Sequence, residues 1–210
     1  NMTMIEESLA VTPRYAKAGV LLERGLQPSI VYTYFNMEDP VVGGYTADKV
    51  ALRRAIGLAT DVDKEIRLVR HNQAIPGQSH IAPGVWGYDP AFKSEMSDFD
   101  PARAKALLDL YGYVDKNGDG WRDQPDGSPL VLHYATQPDR ASRSLVELWQ
   151  KNMDAIQVRI EFQTAKWPEN LKASTAGKLM MWGVGWTAGT PDAEDFMVLA
   201  YGPNKGQSNK

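Results

Sequence analysis

Hydrophobic residues recur along this chain in two rhythms, one helical and one extended, and they alternate in order. Residues 29–37, SIVYTYFNM, are β-branched and aromatic and predict a strand. Leu52, Ile56 and Ala59 recur at helical spacing and predict a helix opened by Thr46 or Asp48, with Arg53 and Arg54 towards solvent. Asp61 opens a second helix over 62–70, with Ile66, Leu68 and Val69 apolar. Asp100-Pro101 places proline at a first helical position, with Leu107, Leu108 and Tyr111 inward and Gly112 as the stop. Leu130–Thr136 predicts a strand, and Asp139 caps a helix to about Ile156 whose Leu145, Leu148, Trp149 and Met153 share a face. Val158–Thr164 alternates as a strand, Trp167–Ala173 is helical with Pro168 in its first turn, and Leu179–Val184 is an apolar run typical of a buried strand. The resulting β-α-β-α-β order predicts right-handed crossovers and a sheet at least partly parallel.

Three stretches interrupt the rhythm. Residues 1–25 have helical tendency, with Val20, Leu21 and Leu22 as the apolar part and Gly25 as a stop. Residues 72–90 contain Pro76, Pro83, Pro90, Gly77, Gly84 and Gly87, so no regular element fits, and ordered loops of that length often carry function. After Val184 the Gly-Trp-Thr-Ala-Gly-Thr-Pro-Asp run is expected to break the strand, and Asp192, Glu194 and Asp195 then head a helix ending near Tyr201.

Composition narrows the function classes. Of 210 residues, 43% are hydrophobic and 23% charged, which suffices for a real core. The net charge of -3 removes the basic surface that nucleic-acid binding requires. The absence of cysteine excludes disulfides, thiol nucleophiles and thiolate metal sites. His71, His80 and His133 have no helical metal-pair spacing. No run reaches membrane-spanning length, so no direct membrane insertion is expected. Both chain ends, including the polar GPNKGQSNK, are expected to be cuts through a longer protein.

Two constellations carry candidate chemistry. Asp115, Asn117, Asp119 and Gly120 match the first half of a calcium loop, with Asp123 and Asp126 at the ninth and twelfth places. The twelfth residue is shorter than the usual Glu, and Pro125, Gly127 and Pro129 forbid an exiting helix, so the bland reading is a polar turn. Asp192 and Glu194 would be the acid and base of a hydrolase, although acids at a helix N-terminus explain them as well. No nucleophile elbow, dinucleotide fingerprint or P-loop occurs. Tryptophan is abundant, six in all; Trp182 and Trp186 lie four apart, Trp182 sharing a strand face with its even-numbered neighbours and Trp186 expected past the strand end, leaning over a cleft.

The ordered segments YFNMEDP (34–40), ALRRAIGLATD (51–61), AIPGQSHIAPGVWGYDP (74–90), DPARAKALLDLYGYVDKNGDGWRD (100–123) and GWTAGTPDAEDF (185–196) resemble the family 5 extracellular solute-binding proteins. These are the oligopeptide-, dipeptide- and nickel-binding receptors of ABC importers. The resemblance implies an α/β fold, one lobe of a periplasmic-binding-protein-like receptor of type II, cluster C, with a mixed sheet flanked by helices. It assigns residues 29–210 to the second lobe, truncated before its C-terminal return, and 1–28 to a segment leading in from a missing part. It implies capture of a peptide or similar small solute between two lobes, delivery to an ABC permease in the membrane, a periplasmic or extracellular location, a monomer, and neither cofactor nor catalysis. Trp186, Gly185, Thr187, Trp167, His80 and Trp86 would line the ligand cleft, with Tyr88 alongside. The family's peptide binders carry an acid where this chain has Gly189, and some carry a base where it has Gly183. The aspartate-rich turn recurs in the family as structure.

Overall fold

The computed structural model describes residues 10–23, 25–94 and 97–204. Helix α1 (Pro13–Lys17) comes first, followed by strand β1 (Ser29–Phe35), helices α2 (Ala47–Ala59), α3 (Val62–Leu68) and α4 (Pro101–Leu110), and strand β2 (Val131–Thr136). Helix α5 (Arg140–Ala155), strand β3 (Arg159–Thr164), helix α6 (Trp167–Thr175), strand β4 (Met181–Thr187) and helix α7 (Glu194–Met197) complete the order. The four strands form one sheet in the order β1-β4-β2-β3. β2 runs parallel to both β3 and β4, while β1 runs antiparallel to β4, so the sheet is mixed.

Register sorts the sheet into two faces. Leu132 pairs with Ile160, and Tyr134 pairs with both Phe162 and Met181, placing these side chains on one face. That face carries the main core, where Leu52, Ile56, Leu108, Trp149, Met153 and Ile156 from the helices close over it. Tyr134 and Trp149 meet at 4.8 Å between ring centroids. The opposite face carries Ala135 and Trp182, which are partners, and the β1–β4 pairs Tyr34–Trp182, Tyr32–Val184 and Ile30–Trp186.

The helix starts follow local chemistry. Asp61, Asp100 and Asp139 each accept the backbone N–H three residues on, at 2.9 Å, as N-caps should. Thr46 makes no such bond; its hydroxyl goes to Asp48 and helps hold that carboxyl below the usual range. Arg53 does not point to solvent as its spacing suggests. Its guanidinium donates to Val42 O at 2.6 Å, and Lys49 Nζ donates to Pro40 O and Val41 O, so α2 clamps the preceding loop.

Three sequence expectations are corrected. The helix anticipated over 1–25 is five residues long where it is described, and residues 1–9 and 24 lie outside the described part. Val20–Leu22 are not helical, and Leu21 is 84% exposed, because no core lies beneath them. The last strand does not break at Gly185: Gly185, Trp186 and Thr187 pair with Val31, Ile30 and Ser29. The pairing supplies backbone partners that outweigh the weak β-preference of glycine. Finally, α7 ends at Met197 rather than near Tyr201.

The aspartate-rich turn before β2 is a self-closed structure. Asp115 accepts from Gly118 N and Gly120 N, Asn117 from Asp119 N, Asp119 from Trp121 N and the Arg159 guanidinium, and Asp126 from Ser128 N and Oγ. Asp123 is buried and accepts from Lys116 N. Among the described residues no three His, Cys, Asp or Glu side chains converge as a cation cage. The residue preceding Asp123, Arg122, is only 5% exposed. Its side chain donates to Ile156 O, Asp109 Oδ1 and Tyr113 O, tying the ends of α4 and α5 to the turn.

Three outcomes follow from these contacts. Calcium at millimolar concentration leaves the melting temperature where EGTA leaves it, because backbone N–H groups and Arg159 already engage these carboxylates. Arg122→Met lowers unfolding free energy by about 2–4 kcal/mol in urea titration, since buried carbonyls lose their donor. On the core face, a Cβ at Gly183 would lie 2.6 Å from the Tyr134 hydroxyl. Gly183→Ala therefore destabilises by about 1–3 kcal/mol, and Tyr134→Phe in the same chain restores part of that loss.

Candidate functional site

β4 delivers the candidate residues because its even-numbered side chains all leave the core. Trp182, Val184 and Trp186 stand in a row on the outer face, about 6–7 Å apart along the strand. Helix α6 covers one end of this row. Trp167, at its first residue, meets Trp182 at 4.8 Å between ring centroids, and Tyr34 bonds Ser174 at 2.7 Å. The loop at 81–85 and α7 cover the other end, where Ala82, Val85 and Phe196 are buried with Ile30, Ala188 and Ala193 packed on them. Between the two covers lie Tyr32 and Val184, paired across the strands and half-buried. Burial raises the Tyr32 and Tyr34 phenols above their usual range, so both are neutral floor residues.

The covers leave aromatic surface open. Trp167 is 46% exposed, Trp186 39% and Trp86 76%. The Trp86 backbone ties its loop down by donating to Pro191 O at 2.8 Å, while the indole stays outside. His80 Nε2 lies 3.4 Å from the Met197 sulfur, at the exposed end of α7. Four of the sequence candidates, His80, Trp86, Trp186 and Thr187, thus come together around the 188–197 segment. Trp167 shares their face of the sheet but sits towards α6. Gly185, with Thr187, faces the core side of β4, so it offers this outer face no side chain.

The acidic residues of the loop have structural partners. Asp192 Oδ1 accepts Glu194 N at 2.9 Å and so turns the chain into α7. Asp195 Oδ2 accepts Gly189 N at 2.6 Å, Thr190 N at 2.8 Å and the Thr190 hydroxyl at 3.2 Å. The Thr190 and Gly189 N–H groups hold the Asp195 carboxyl below its usual range. The Trp186 indole N–H donates to the main-chain oxygen of the same Asp195 at 2.7 Å. Sequence reading had counted Asp195 only as a helix N-terminal acid; contacts five and six residues back leave no short-range signature. Tyr32 was likewise missed, because only the strand register shows that it faces Val184.

Position 183 faces the core beneath Tyr134, which leaves no room for a long basic side chain. The outer surface of α6 has a shallow depression lined by Pro168, Leu171, Lys172, Thr175 and Ala176. All five come from one helix, so nothing converges there. The aspartate-rich turn lies at the N-terminal ends of β2 and β3, whereas the 188–195 loop leaves the C-terminal end of β4; the parallel pairing of β2 with β4 puts the two at opposite ends of the sheet.

Comparison with known proteins places the chain in a family. The family model described as bacterial extracellular solute-binding proteins, family 5 Middle, matches residues 6–208. Di/tripeptide-binding protein 2 of Pseudomonas aeruginosa strain UCBPP-PA14 is 28% identical over 153 residues, 72% of this chain and 26% of that protein. The chain spans about a quarter of the length of the curated relatives it matches. A periplasmic oligopeptide-binding protein of Thermotoga maritima superposes with a TM-score of 0.73 at 19% identity, over 92% of this chain and 38% of that one. The dipeptide-binding protein of Pseudoalteromonas sp. SM9913, solved with Met-Leu, gives 0.66 at 24% identity, over 83% and 31%. With nearly its whole length matched by the family model, the chain belongs to the bacterial extracellular solute-binding proteins of family 5.

Proposed function

We propose that this chain is part of the substrate-binding component of an ABC importer, and that it captures a peptide or similar small solute for delivery to a membrane permease. The observation that carries the reading is the open aromatic surface around the 188–197 segment, where Trp186 at the end of β4 and Trp86 beside it present their indoles. Such surfaces give large contact area at low entropy cost and suit peptide groups or side chains. The matched relative from Pseudomonas aeruginosa is named for di- and tripeptide binding, which fits a short peptide as the ligand. The relatives are binding proteins rather than enzymes, and no bond is made or broken in this reading.

In this reading the ligand is held between the described lobe and a second one, and contact with both selects the closed state. Trp186 lines the cleft, with Thr187 and the main chain at Gly185 beside it, and Trp167, His80 and Trp86 flank it. The receptor works outside the cytoplasmic membrane, in the periplasm or extracellular space, as a monomer and without a cofactor. No described helix is long and apolar enough to cross a membrane.

Native mass spectrometry of the full-length receptor tests the assignment directly. A small molecule that leaves on unfolding supports it, and a bound mass that turns into product overturns it in favour of an enzyme. Trp186→Ala weakens binding of Met-Leu by about 1–3 kcal/mol in calorimetry, as expected for a partly buried aromatic contact. Unchanged affinity removes Trp186 from the site.

A further inference from the structure

The segment between β4 and α7 is short of internal structure yet sharply placed. Ala188 N donates to Pro28 O at 2.9 Å, which is the last bond to the β1 side. Beyond it, Gly189 N, Thr190 N and the Thr190 hydroxyl all converge on a single oxygen, Asp195 Oδ2. Pro191 O then receives Trp86 N. Helix α7, at four residues, is too short to hold its own orientation. Its anchors are Phe196, fully buried, and the Asp195 carboxylate immediately before it in sequence.

The same residue meets the aromatic surface from its other side, since the Asp195 main-chain oxygen receives the Trp186 indole N–H at 2.7 Å. One carboxylate thus closes the loop, and the closed loop presents the carbonyl on which the indole rests. We infer that Asp195 is a positioning residue that fixes the orientation of the Trp186 indole by tying residues 189 and 190 back to the start of α7. The inference rests on the reading of Trp186 as a ligand-lining residue.

The arrangement also explains why position 189 is not an acid. A Cβ there would lie 3.5 Å from Asp195 Oδ2, an ordinary contact for a methyl group. A carboxylate at 189 would instead meet a like charge and compete for the same donors. An acid at 189 and the Asp195 clamp are therefore alternatives, and this chain has the clamp.

Indole N–H resonances in a proton–nitrogen NMR spectrum provide the test, with the Trp186 peak assigned by Trp186→Phe. Asp195→Ala moves the Trp186 peak towards the solvent-exposed position and speeds its hydrogen exchange by about tenfold or more, because the local closure is gone. The peaks of buried Trp149 and Trp182 stay in place and report an intact core. Asp195→Asn keeps an acceptor oxygen and returns the Trp186 peak to its parent position. Met-Leu affinity follows the same order, falling about fivefold or more in the alanine variant and about twofold or less in the asparagine variant. An unmoved Trp186 peak in Asp195→Ala overturns the inference. So does an affinity loss in Asp195→Asn equal to that in Asp195→Ala with the indole peak in place, because the charge would then be touching the ligand. If the parent protein does not bind Met-Leu, the dipeptide reading fails, while the indole peaks still decide the role of Asp195.

Discussion

Seven consecutive pairs, from Ser29 with Thr187 to Phe35 with Met181, decide where each side chain of β4 points. Because the strand period is two, a slip of one residue would turn Trp182, Val184 and Trp186 into the core and Met181 out of it. The core resists that slip, since Met181 is fully buried against Tyr134 and its neighbours. The aromatic row is thus held in place from the opposite side of the sheet. The long connection from β1 to β2 matters less for the site than this antiparallel pairing, which joins two segments about 150 residues apart.

Sequence patterning captured the elements whose causes are local. Asp61, Asp100 and Asp139 start helices where their side chains can cap them, and Leu148, Trp149 and Met153 fall on the buried face that their spacing indicates. What patterning missed has causes far away in the chain. Gly185-Trp186-Thr187 reads as a strand breaker until β1 supplies its partners, and Val20–Leu22 reads as an apolar helix face until one finds nothing beneath it. The family resemblance pointed to the stretch around Trp186. It did not reveal the carboxylate of Asp195, whose partners are identified only once the loop is folded.

The satisfied polar network and the open aromatic surface occupy different ends of the sheet. Arg122 and the aspartate turn brace the N-terminal ends of β2 and β3, where the charged groups are consumed by carbonyls and backbone N–H groups. The opposite end leaves indoles open and holds its loop by few anchors, chiefly Asp195 and Phe196. Polar networks with every partner satisfied rigidify a fold, whereas a loop with few anchors opens at lower cost. The two ends of the sheet therefore differ in how firmly their loops are held.

The glycines of β4 have an evolutionary consequence. Gly183 and Gly185 alternate with Trp182, Val184 and Trp186, so the strand carries bulk on one face and almost none on the other over this length. Replacing an outward residue changes the exposed surface without forcing a compensating change in the interior. Selection can therefore diversify positions 184 and 186 one at a time, while position 183 stays glycine for as long as Tyr134 keeps its hydroxyl.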